Sequence, residues 1–129
     1  MTKSYNSRAL RQKLSILIPV YNEKATVLEL LRRVEAVALP LDKEIVIVDD
    51  GSTDGSAELL RKSERPGLRV AFHPKNRGKG AAIRTAIGLA SGDFALIQDS
   101  DLEYDPADYP ALLTPLLDGR AEVVYGSRF

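Results

Sequence analysis

The sequence predicts an α/β domain with helices on both faces of a mainly parallel, twisted sheet. Five short runs are continuously apolar and rich in β-branched residues, and helical patterns lie between consecutive runs. Continuous apolar runs are typical of parallel strands that are buried on both faces. Strands that alternate with helices through short connections form right-handed βαβ units. At 129 residues, the chain is long enough for one core of this kind.

Each predicted strand is an apolar run of four or five residues. The runs are Ser15–Pro19, Glu44–Val48, Arg69–Phe72, Phe94–Ile97 and Glu122–Tyr125. Neither an internal repeat nor a low-complexity linker interrupts them, so we expect one domain at residues 14–129. Residues 1–13 are basic and lack the apolar core of a secretory signal, and we interpret them as a mobile leader.

Two helices are predicted in the first half of the chain. In the first, Thr26 and Glu29 are placed to form a capping box, and Pro40 ends the helix. The shorter second helix follows Asp54, whose carboxylate can cap it, and ends before Pro66. The apolar positions are Val27, Leu30, Leu31, Val34 and Ala38 in the first helix and Leu59 and Leu60 in the second.

Two more helices are predicted in the second half. The third has a narrow apolar stripe that implies close packing on the sheet, and Gly92 supplies a left-handed stop. The fourth starts at Pro106 after the capping residue Asp105 and runs towards Leu117, with two internal prolines that kink or divide it. The apolar faces are Ile83, Ala86, Ile87 and Ala90 in the third helix and Tyr109, Leu112, Leu113 and Leu116 in the fourth.

Composition and charge exclude several classes of function. The chain has 18 Lys and Arg residues against 18 Asp and Glu residues, so no positive field favours a nucleic-acid partner. It has no cysteine, which excludes disulfides, thiolate zinc sites and cysteine nucleophiles. The apolar run Leu14–Val20 is interrupted by Ser15 and Pro19 and is much shorter than a membrane span. We therefore expect a soluble, cytoplasmic protein.

Polar clusters directly follow three predicted strands, at the sheet edge where open α/β domains bind ligands. They comprise Tyr21, Asn22 and Glu23, then Asp49, Asp50, Gly51 and Ser52, and then Asp99, Ser100, Asp101 and Glu103. So many carboxylates repel one another unless a cation joins them, and oxygen ligands of this kind suit Mg²⁺ or Mn²⁺. From the strand spacing, we assign Asp101 and Glu103 to the cation and Asp99 to a ribose hydroxyl or a metal-bound water.

A basic stretch, Asn76–Gly80, opens the third helix. Unpaired backbone N–H groups and the positive helix end can receive an anion there, and Arg77 and Lys79 add full charges. Because Mg²⁺ is commonly completed by substrate phosphates, the stretch indicates a diphosphate ligand. We expect Tyr21 to flank a base and Asp50 to bond a ribose or a base edge.

Each cluster alone also has a structural interpretation. The segment Asp49–Ser52 is typical of a turn that caps a helix, and Asn76–Gly80 is typical of a turn with charged flanks. An Asp-x-Asp pair arises by chance in many surface loops. The lone His73, followed by Pro74, is interpreted as an exposed residue at a strand end. The coincidence of three polar clusters at one predicted edge favours a functional site.

The clusters occur in an order that resembles a known family. The motifs are Pro19-Val20-Tyr21-Asn22-Glu23, Val48-Asp49-Asp50-Gly51-Ser52-Thr53-Asp54, Asn76-Arg77-Gly78-Lys79-Gly80, Gly92-Asp93, Asp99-Ser100-Asp101 and Gly126-Ser127-Arg128. This ordered set spans nearly all of Leu14–Phe129 and resembles family 2 glycosyltransferases with the Rossmann-like GT-A fold. The resemblance is greatest to the dolichyl- or polyprenyl-phosphate sugar transferase branch, which includes dolichol-phosphate mannosyltransferase.

The resemblance implies the transfer of a sugar, with inversion, from a GDP- or UDP-sugar in the presence of Mg²⁺ or Mn²⁺. Carried over by position, the nucleotide-sugar site would comprise Pro19, Tyr21, Glu23, Val48, Asp50, Lys79, Gly80 and Asp99. The metal centre would comprise Asp99, Asp101 and Glu103, and the catalytic residues would be Asp99, Asp101 and Arg128. Some relatives have Gln where this chain has Glu103, so its metal site would carry one more negative charge.

Two acceptors are compatible with the resemblance. A polyprenyl or dolichyl phosphate is already ionised near pH 7 and needs no catalytic base, and Arg128 matches the arginine that would meet its phosphate. A saccharide hydroxyl, as in polysaccharide synthesis, would need a carboxylate base from beyond position 129. We expect the donor-binding part of a longer enzyme at the cytoplasmic face of a membrane, with membrane contact only through further sequence. We expect this part to bind its donor more readily than it turns over.

Two other classes of protein share parts of the pattern. A receiver-like signalling domain has a similar length and a parallel sheet, but its acidic pair follows the first strand, whereas Asp49 and Asp50 follow the second. A dinucleotide-binding oxidoreductase would have a Gly-x-Gly-x-x-Gly turn after the first strand, and Pro19-Val20-Tyr21 stands there instead. The sequence therefore favours the glycosyltransferase.

Overall fold

Five strands form one sheet in the part of the chain that the computed structural model describes, which is residues 12–100 and 105–111 and the backbone of 123–126. The elements in chain order are β1 (Lys13–Val20), α1 (Val27–Ala36), β2 (Asp42–Asp49), α2 (Ser56–Arg61), β3 (Leu68–Phe72), α3 (Lys79–Leu89), β4 (Phe94–Gln98), a 3₁₀ turn (Pro106–Asp108) and β5 (Val123–Gly126). Each predicted strand is confirmed to within two residues at either end.

The strand order β3-β2-β1-β4-β5 places β1 at the centre of the sheet. Every neighbouring pair is parallel. The chain moves outwards from β1 to β3 and then returns to β4 on the other side of β1. This reversal opens a crevice at the carboxyl ends of β1 and β4, where open α/β sheets bind their ligands.

Alternate side chains of the strands form an apolar layer on each face of the sheet. On one face, Ile16 and Ile47 pack with Leu30 of α1. On the other face, Leu17 and Val46 pack in a layer with the alanines of α3. The burial of both strand faces explains why the apolar runs are continuous instead of alternating with polar residues.

The helix α3 lies on the sheet through small side chains. Ala81, Ala82 and Ala86 are buried, whereas Ile87 is 52% exposed. The prediction that Ile87 belongs to the buried stripe is therefore wrong. Close packing selects the methyl groups of alanine for the face that meets β1 and β2, and the helix rotation that puts them there leaves the larger Ile87 in solvent.

Gly92 is required for a different reason from the predicted one. The helix α3 ends at Leu89, and Ala90 is already extended, with φ −71° and ψ 143°. The glycines with positive φ among the described residues do not include Gly92, so the predicted left-handed stop is wrong. A Cβ at Gly92 would lie 2.5 Å from Ser15 Oγ and 2.8 Å from the Lys13 carbonyl oxygen. The position therefore needs glycine because β1 passes directly against it.

The start of α1 is held by contacts other than the predicted capping box. Among the described residues, the Thr26 side chain finds no partner that caps the helix, so the prediction of a box with Glu29 is wrong. The Thr26 hydroxyl instead donates to the Ser100 carbonyl oxygen at 2.8 Å, and Glu29 forms ion pairs with Arg32 and Arg33. The hydroxyl contact joins the start of α1 to the end of β4, next to the crevice.

Two other predicted helix starts are confirmed. Asp54 Oδ1 accepts a hydrogen bond from Ser56 N at 2.9 Å where α2 begins. Asp105 Oδ1 accepts from Ala107 N at 2.9 Å in the 3₁₀ turn. The later part of the fourth predicted helix, 112–117, lies outside the described residues. None of the helices within the described ranges has the length and apolar character that a bilayer crossing demands.

Candidate functional site

A cavity of about 300 Å³ opens at the carboxyl ends of β1, β2 and β4. It lies at the crevice where the strand order reverses, which is the position that this type of fold favours for a ligand. Its lining combines a lysine, several carboxylates and an exposed aromatic ring. The lining residues are Pro19, Val20, Tyr21, Glu23, Asp50, Asn76, Lys79, Ala82, Asp99 and Ser100.

The structure brings many of the predicted site residues together at this cavity. Those that line it are Pro19, Tyr21, Glu23, Asp50, Lys79 and Asp99. Val48 is fully buried in the apolar layer beneath α3, and Gly80 lies in the first turn of α3. Asp101, Glu103 and Arg128 lie outside the described residues.

The loops that follow β1 and β2 hold each other through their side chains. Ser52 Oγ accepts a hydrogen bond from Asn22 N at 2.8 Å, and Asn22 Oδ1 accepts from Thr53 N at 2.8 Å. Ser56 Oγ accepts from Glu23 N at 3.1 Å. Asn22 has a φ of 53°, a left-handed conformation in which Asn is enriched. The polar residues of the first two motifs therefore fix the shape of one cavity wall.

The carboxylate of Asp50 accepts four hydrogen bonds beneath the cavity. Oδ1 accepts from Arg77 N at 2.9 Å and lies 2.7 Å from His73 Nδ1. Oδ2 accepts from Gly78 N at 2.8 Å and from Asn76 Nδ2 at 3.0 Å. The Asp50 side chain is 3% exposed. These contacts hold the loop between β3 and α3 against the end of β2.

The same contacts set the charge of the Asp50 carboxyl group. Burial alone would raise the pKa of Asp50, because it disfavours the anion. The hydrogen bonds from His73 and from the backbone N–H groups of Arg77 and Gly78 outweigh burial, so the pKa of Asp50 lies below its usual range. Asp50 is therefore a buried anion, and the loop that supplies its donors is held in place by it.

His73 is not the exposed strand-end residue that the sequence predicts. It is 8% exposed, and its imidazole lies between Asp50 and Thr85, with Nε2 2.8 Å from Thr85 Oγ1. The prediction is wrong because these partners lie 23 and 12 residues away along the chain. The contact follows from the register of the sheet: because β2 and β3 are parallel with Asp49 paired to Phe72, the residues that follow them, Asp50 and His73, are neighbours.

An ion pair between Lys79 and Asp99 lies at the cavity. The Lys79 ammonium, on the first turn of α3, contacts Asp99 Oδ1 directly after β4. The two side chains are 56% and 22% exposed, so solvent screens the pair and its contribution to stability is small. The position of this ion pair matters more for the binding of a ligand than for stability. Asp99 holds a cation at this position, and Lys79 lies within reach of an anion in the cavity.

The donor chemistry of the site suits a hard divalent cation. Asp99 supplies a carboxylate oxygen at the cavity, where it already holds the Lys79 ammonium. Carboxylates completed by the phosphates of a substrate are a usual ligand set for Mg²⁺. Within the described ranges, no three histidine or acidic side chains converge as a metal centre. Asp101 and Glu103, the other two predicted ligands, lie outside those ranges.

Comparison with known sequences identifies the family. The family model described as Glycosyl transferase family 2 matches residues 15–129. This chain belongs to glycosyl transferase family 2. The family 2 chain is 46% identical over 110 residues to the undecaprenyl-phosphate 4-deoxy-4-formamido-L-arabinose transferase of Pseudomonas aeruginosa, in an alignment that covers 81% of this chain and 32% of the relative. It spans about a third of the length of the curated relatives that it matches. The predicted family is confirmed, and the names of these curated relatives are those of undecaprenyl-phosphate sugar transferases, the kind of branch that the sequence resembles.

Solved structures confirm the GT-A fold of the family 2 chain. A mannosyltransferase from Pyrobaculum calidifontis, in complex with GDP-Man and Mn²⁺, matches with a TM-score of 0.69 and 31% identity, over 78% of this chain and 31% of that one. Glucosyl-3-phosphoglycerate synthase from Mycobacterium tuberculosis, in complex with Mn²⁺ and UDP-glucose, matches with a TM-score of 0.68 and 26% identity, over 92% of this chain and 44% of that one.

Proposed function

We propose that this chain is the donor-binding part of an inverting glycosyltransferase that transfers a sugar from a nucleotide diphosphate sugar to a polyprenyl phosphate. The observation that carries the proposal is the cavity at the strand reversal, where Tyr21, Lys79 and Asp99 from three separate motifs meet. The name of the Pseudomonas aeruginosa relative supports the lipid phosphate acceptor. The GDP-Man and UDP-glucose in the matched structures support the nucleotide donor.

The nucleoside would lie between Tyr21 and the loop above Asp50. The Tyr21 side chain is 46% exposed at the cavity, so its ring face is free to stack on a base. A carboxylate has about four acceptor positions, and the loop between β3 and α3 occupies those of Asp50. Asp50 would therefore shape the nucleoside site by holding Asn76 and Gly78 in place, which is a different task from a direct bond to the ribose.

The diphosphate would lie between the start of α3 and Asp99. The first backbone N–H groups of α3 and the Lys79 ammonium favour an anion there, and Lys79 would exchange Asp99 for a diphosphate oxygen when the donor binds. Lys79 would then stabilise negative charge on the leaving group as the glycosidic bond breaks. A bound Mg²⁺ or Mn²⁺, held by Asp99, Asp101 and Glu103, would supply further neutralisation of that charge.

The acceptor would bring its own nucleophile. A polyprenyl phosphate is ionised near pH 7, so its oxygen attacks the anomeric carbon without the help of a protein base. Arg128 would hold this phosphate through charge-assisted hydrogen bonds. We expect the lipid chain to be recognised by sequence that lies beyond this chain.

The proposal is tested by calorimetric titration of the full 129-residue chain with UDP and with GDP, with and without Mn²⁺. We expect one of the two nucleotides to bind in an Mn²⁺-dependent manner. Asp99→Asn and Asp101→Ala should each weaken that binding by about tenfold or more, because the first removes the negative charge of a carboxylate beside the cation and the second removes an oxygen ligand.

The matched control is Glu64→Gln, which also removes one carboxylate. Glu64 is exposed and lies before the amino end of β3, at the sheet edge opposite the cavity. We expect this variant to bind like the unmodified chain. The absence of nucleotide binding by the unmodified chain, or equal binding by all four proteins, would contradict the proposed function.

A further inference from the structure

His73 is a buried group that the proposed chemistry leaves without a task. Its ring lies 2.7 Å from Asp50 Oδ1 and 2.8 Å from Thr85 Oγ1. It is 8% exposed, and the described residues that line the cavity do not include it. Any effect of His73 on a ligand must therefore pass through the residues that it contacts.

The Asp50 contact determines which ring nitrogen carries a proton. An ionised carboxylate can only accept hydrogen bonds, so Nδ1 of His73 carries the proton that lies between the two side chains. The Thr85 hydroxyl can donate or accept, and it therefore matches Nε2 in either state. The imidazole is fixed at both nitrogens and has one orientation available to it.

The ring joins three elements, of which the end of β2 and the start of α3 border the cavity. Asp50 follows β2, His73 follows β3, and Thr85 lies in α3. The loop from 74 to 78 runs from His73 to the start of α3, and its N–H groups bind the same carboxylate that His73 binds. A displacement of the Asp50 carboxylate would therefore move this loop together with Lys79.

We propose that His73 is a positioning residue of the nucleotide site. Its Nδ1–H holds the Asp50 carboxylate, which in turn holds the loop 74–78 and the first turn of α3 in the shape that the nucleotide diphosphate needs. The role rests on the proposed function of the cavity. It makes His73 a determinant of ligand affinity without any contact between His73 and the ligand.

Three substitutions of His73 separate this role from a general contribution to packing. In His73→Asn, the side-chain amide places an N–H donor near the position of Nδ1 and keeps the bond to Asp50. In His73→Gln, the longer amide reaches towards the position of Nε2 and keeps only the contact with Thr85. His73→Phe keeps a ring of similar shape and loses both contacts.

We expect His73→Phe and His73→Gln to weaken nucleotide binding by about tenfold or more in calorimetric titration, because each leaves the buried Asp50 carboxylate with one donor fewer. His73→Asn should restore affinity to within about threefold of the unmodified chain. Thermal unfolding of all three variants measures their stability in parallel. His73→Asn and His73→Gln both lose the packing of the ring, whereas His73→Phe keeps a ring of similar shape, so affinity that followed the melting temperature instead of the Asp50 donor would overturn the proposal.

The proton position is tested independently by ¹⁵N NMR of the unliganded chain. The sequence contains one histidine, so the ring-nitrogen signals belong to His73. We expect the directly bonded proton on Nδ1, and a proton found on Nε2 alone would overturn the proposal. If the unmodified chain binds neither nucleotide, the proposed function fails and this role fails with it. If it binds and His73→Phe and His73→Gln bind equally well, only the role of His73 fails.

Discussion

Gly51 is the residue at which two of the sequence motifs meet most directly. Its φ is 76°, and a Cβ at this position would lie 2.4 Å from Asn76 N and 2.7 Å from Lys75 Cα. Glycine adopts this left-handed conformation at no steric cost, whereas most residues with a Cβ are strained in it. The obstructing atoms belong to the backbone, which cannot rotate away as a side chain can. Gly51 therefore allows the loop between β3 and α3 to lie on the end of β2.

We predict that Gly51→Ala lowers the free energy of unfolding by about 3 kcal/mol, since it adds a backbone clash to the strain of the left-handed conformation. It should also abolish nucleotide binding, because the loop must move. The matched control is Gly67→Ala, where φ is 86° and, its chain neighbours aside, none of the described residues has an atom within 4 Å of the added Cβ. Strain alone should cost about 1 kcal/mol there. Urea denaturation of both variants measures the difference, and equal losses would contradict the role of the loop contact.

The carboxyl end of α1 is capped by a lysine side chain from a neighbouring strand. The Lys43 ammonium, which projects from β2, donates to the carbonyl oxygens of Val34 and Glu35 at 2.8 and 3.0 Å and also to that of Val37. These carbonyl groups have no partner within the helix. Burial lowers the pKa of Lys43, because it disfavours the charged form. The positive ammonium group interacts favourably with the negative, carboxyl-terminal end of the helix dipole and links α1 to β2.

We predict that Lys43→Met destabilises the protein by about 1 kcal/mol. Methionine keeps most of the apolar stem and removes the ammonium that binds the carbonyl groups. Lys62→Met is the matched control, because Lys62 is exposed and its loss should change the free energy of unfolding by less than about 0.5 kcal/mol. Both values come from chemical denaturation monitored by circular dichroism. A loss for Lys43→Met no larger than that of the control would contradict the capping role.

At the scale of the whole molecule, the sequence predicts the sheet and the edge that carries the site. Continuous apolar runs such as Ile45–Val48 are the direct consequence of burial on both faces, so strand positions are visible in one sequence. The polar clusters follow those runs, and the parallel topology places Asp50 and Asp99 at the same edge. These conclusions depend on patterns of neighbouring residues, which a single sequence contains.

The contacts that the sequence does not predict all depend on distances between remote segments. His73 has no local pattern that distinguishes it from an exposed loop residue, because Asp50 and Thr85 reach it only through the fold. Gly92 has a helix-end position that suggests a left-handed turn, yet its cause is the passage of β1 against it. Likewise, Lys43 has the sequence context of a surface lysine, and its helix-capping role depends on how α1 packs against β2.

A carboxylate at each end of β2 accepts hydrogen bonds from other segments of the chain. Protonation of either carboxylate would weaken these bonds. At the amino end of β2, Glu44 accepts hydrogen bonds from Ser15 and from the backbone and hydroxyl of Ser91. Burial alone would raise the pKa of Glu44, but these hydrogen bonds outweigh burial and lower it. At the carboxyl end, the pKa of Asp50 is lowered in the same way. Folding therefore favours both anions.

Because both pKa values are lower in the folded than in the unfolded state, the unfolded state binds more protons in acid. The contribution of these two carboxylates to the free energy of unfolding should therefore be constant above about pH 5 and fall as the pH drops through about 4 and below. Glu44→Gln and Asp50→Asn should each lower the free energy of unfolding at pH 7. Each should also reduce the slope of that free energy against pH in acid. Asp50 lies six positions after Glu44, which corresponds to about 20 Å of extended chain, so the effects of the two substitutions should add. Urea denaturation from pH 7 to pH 3 measures the free energy of unfolding and its dependence on pH. An unchanged slope in acid for the double variant would contradict the role of Glu44 and Asp50.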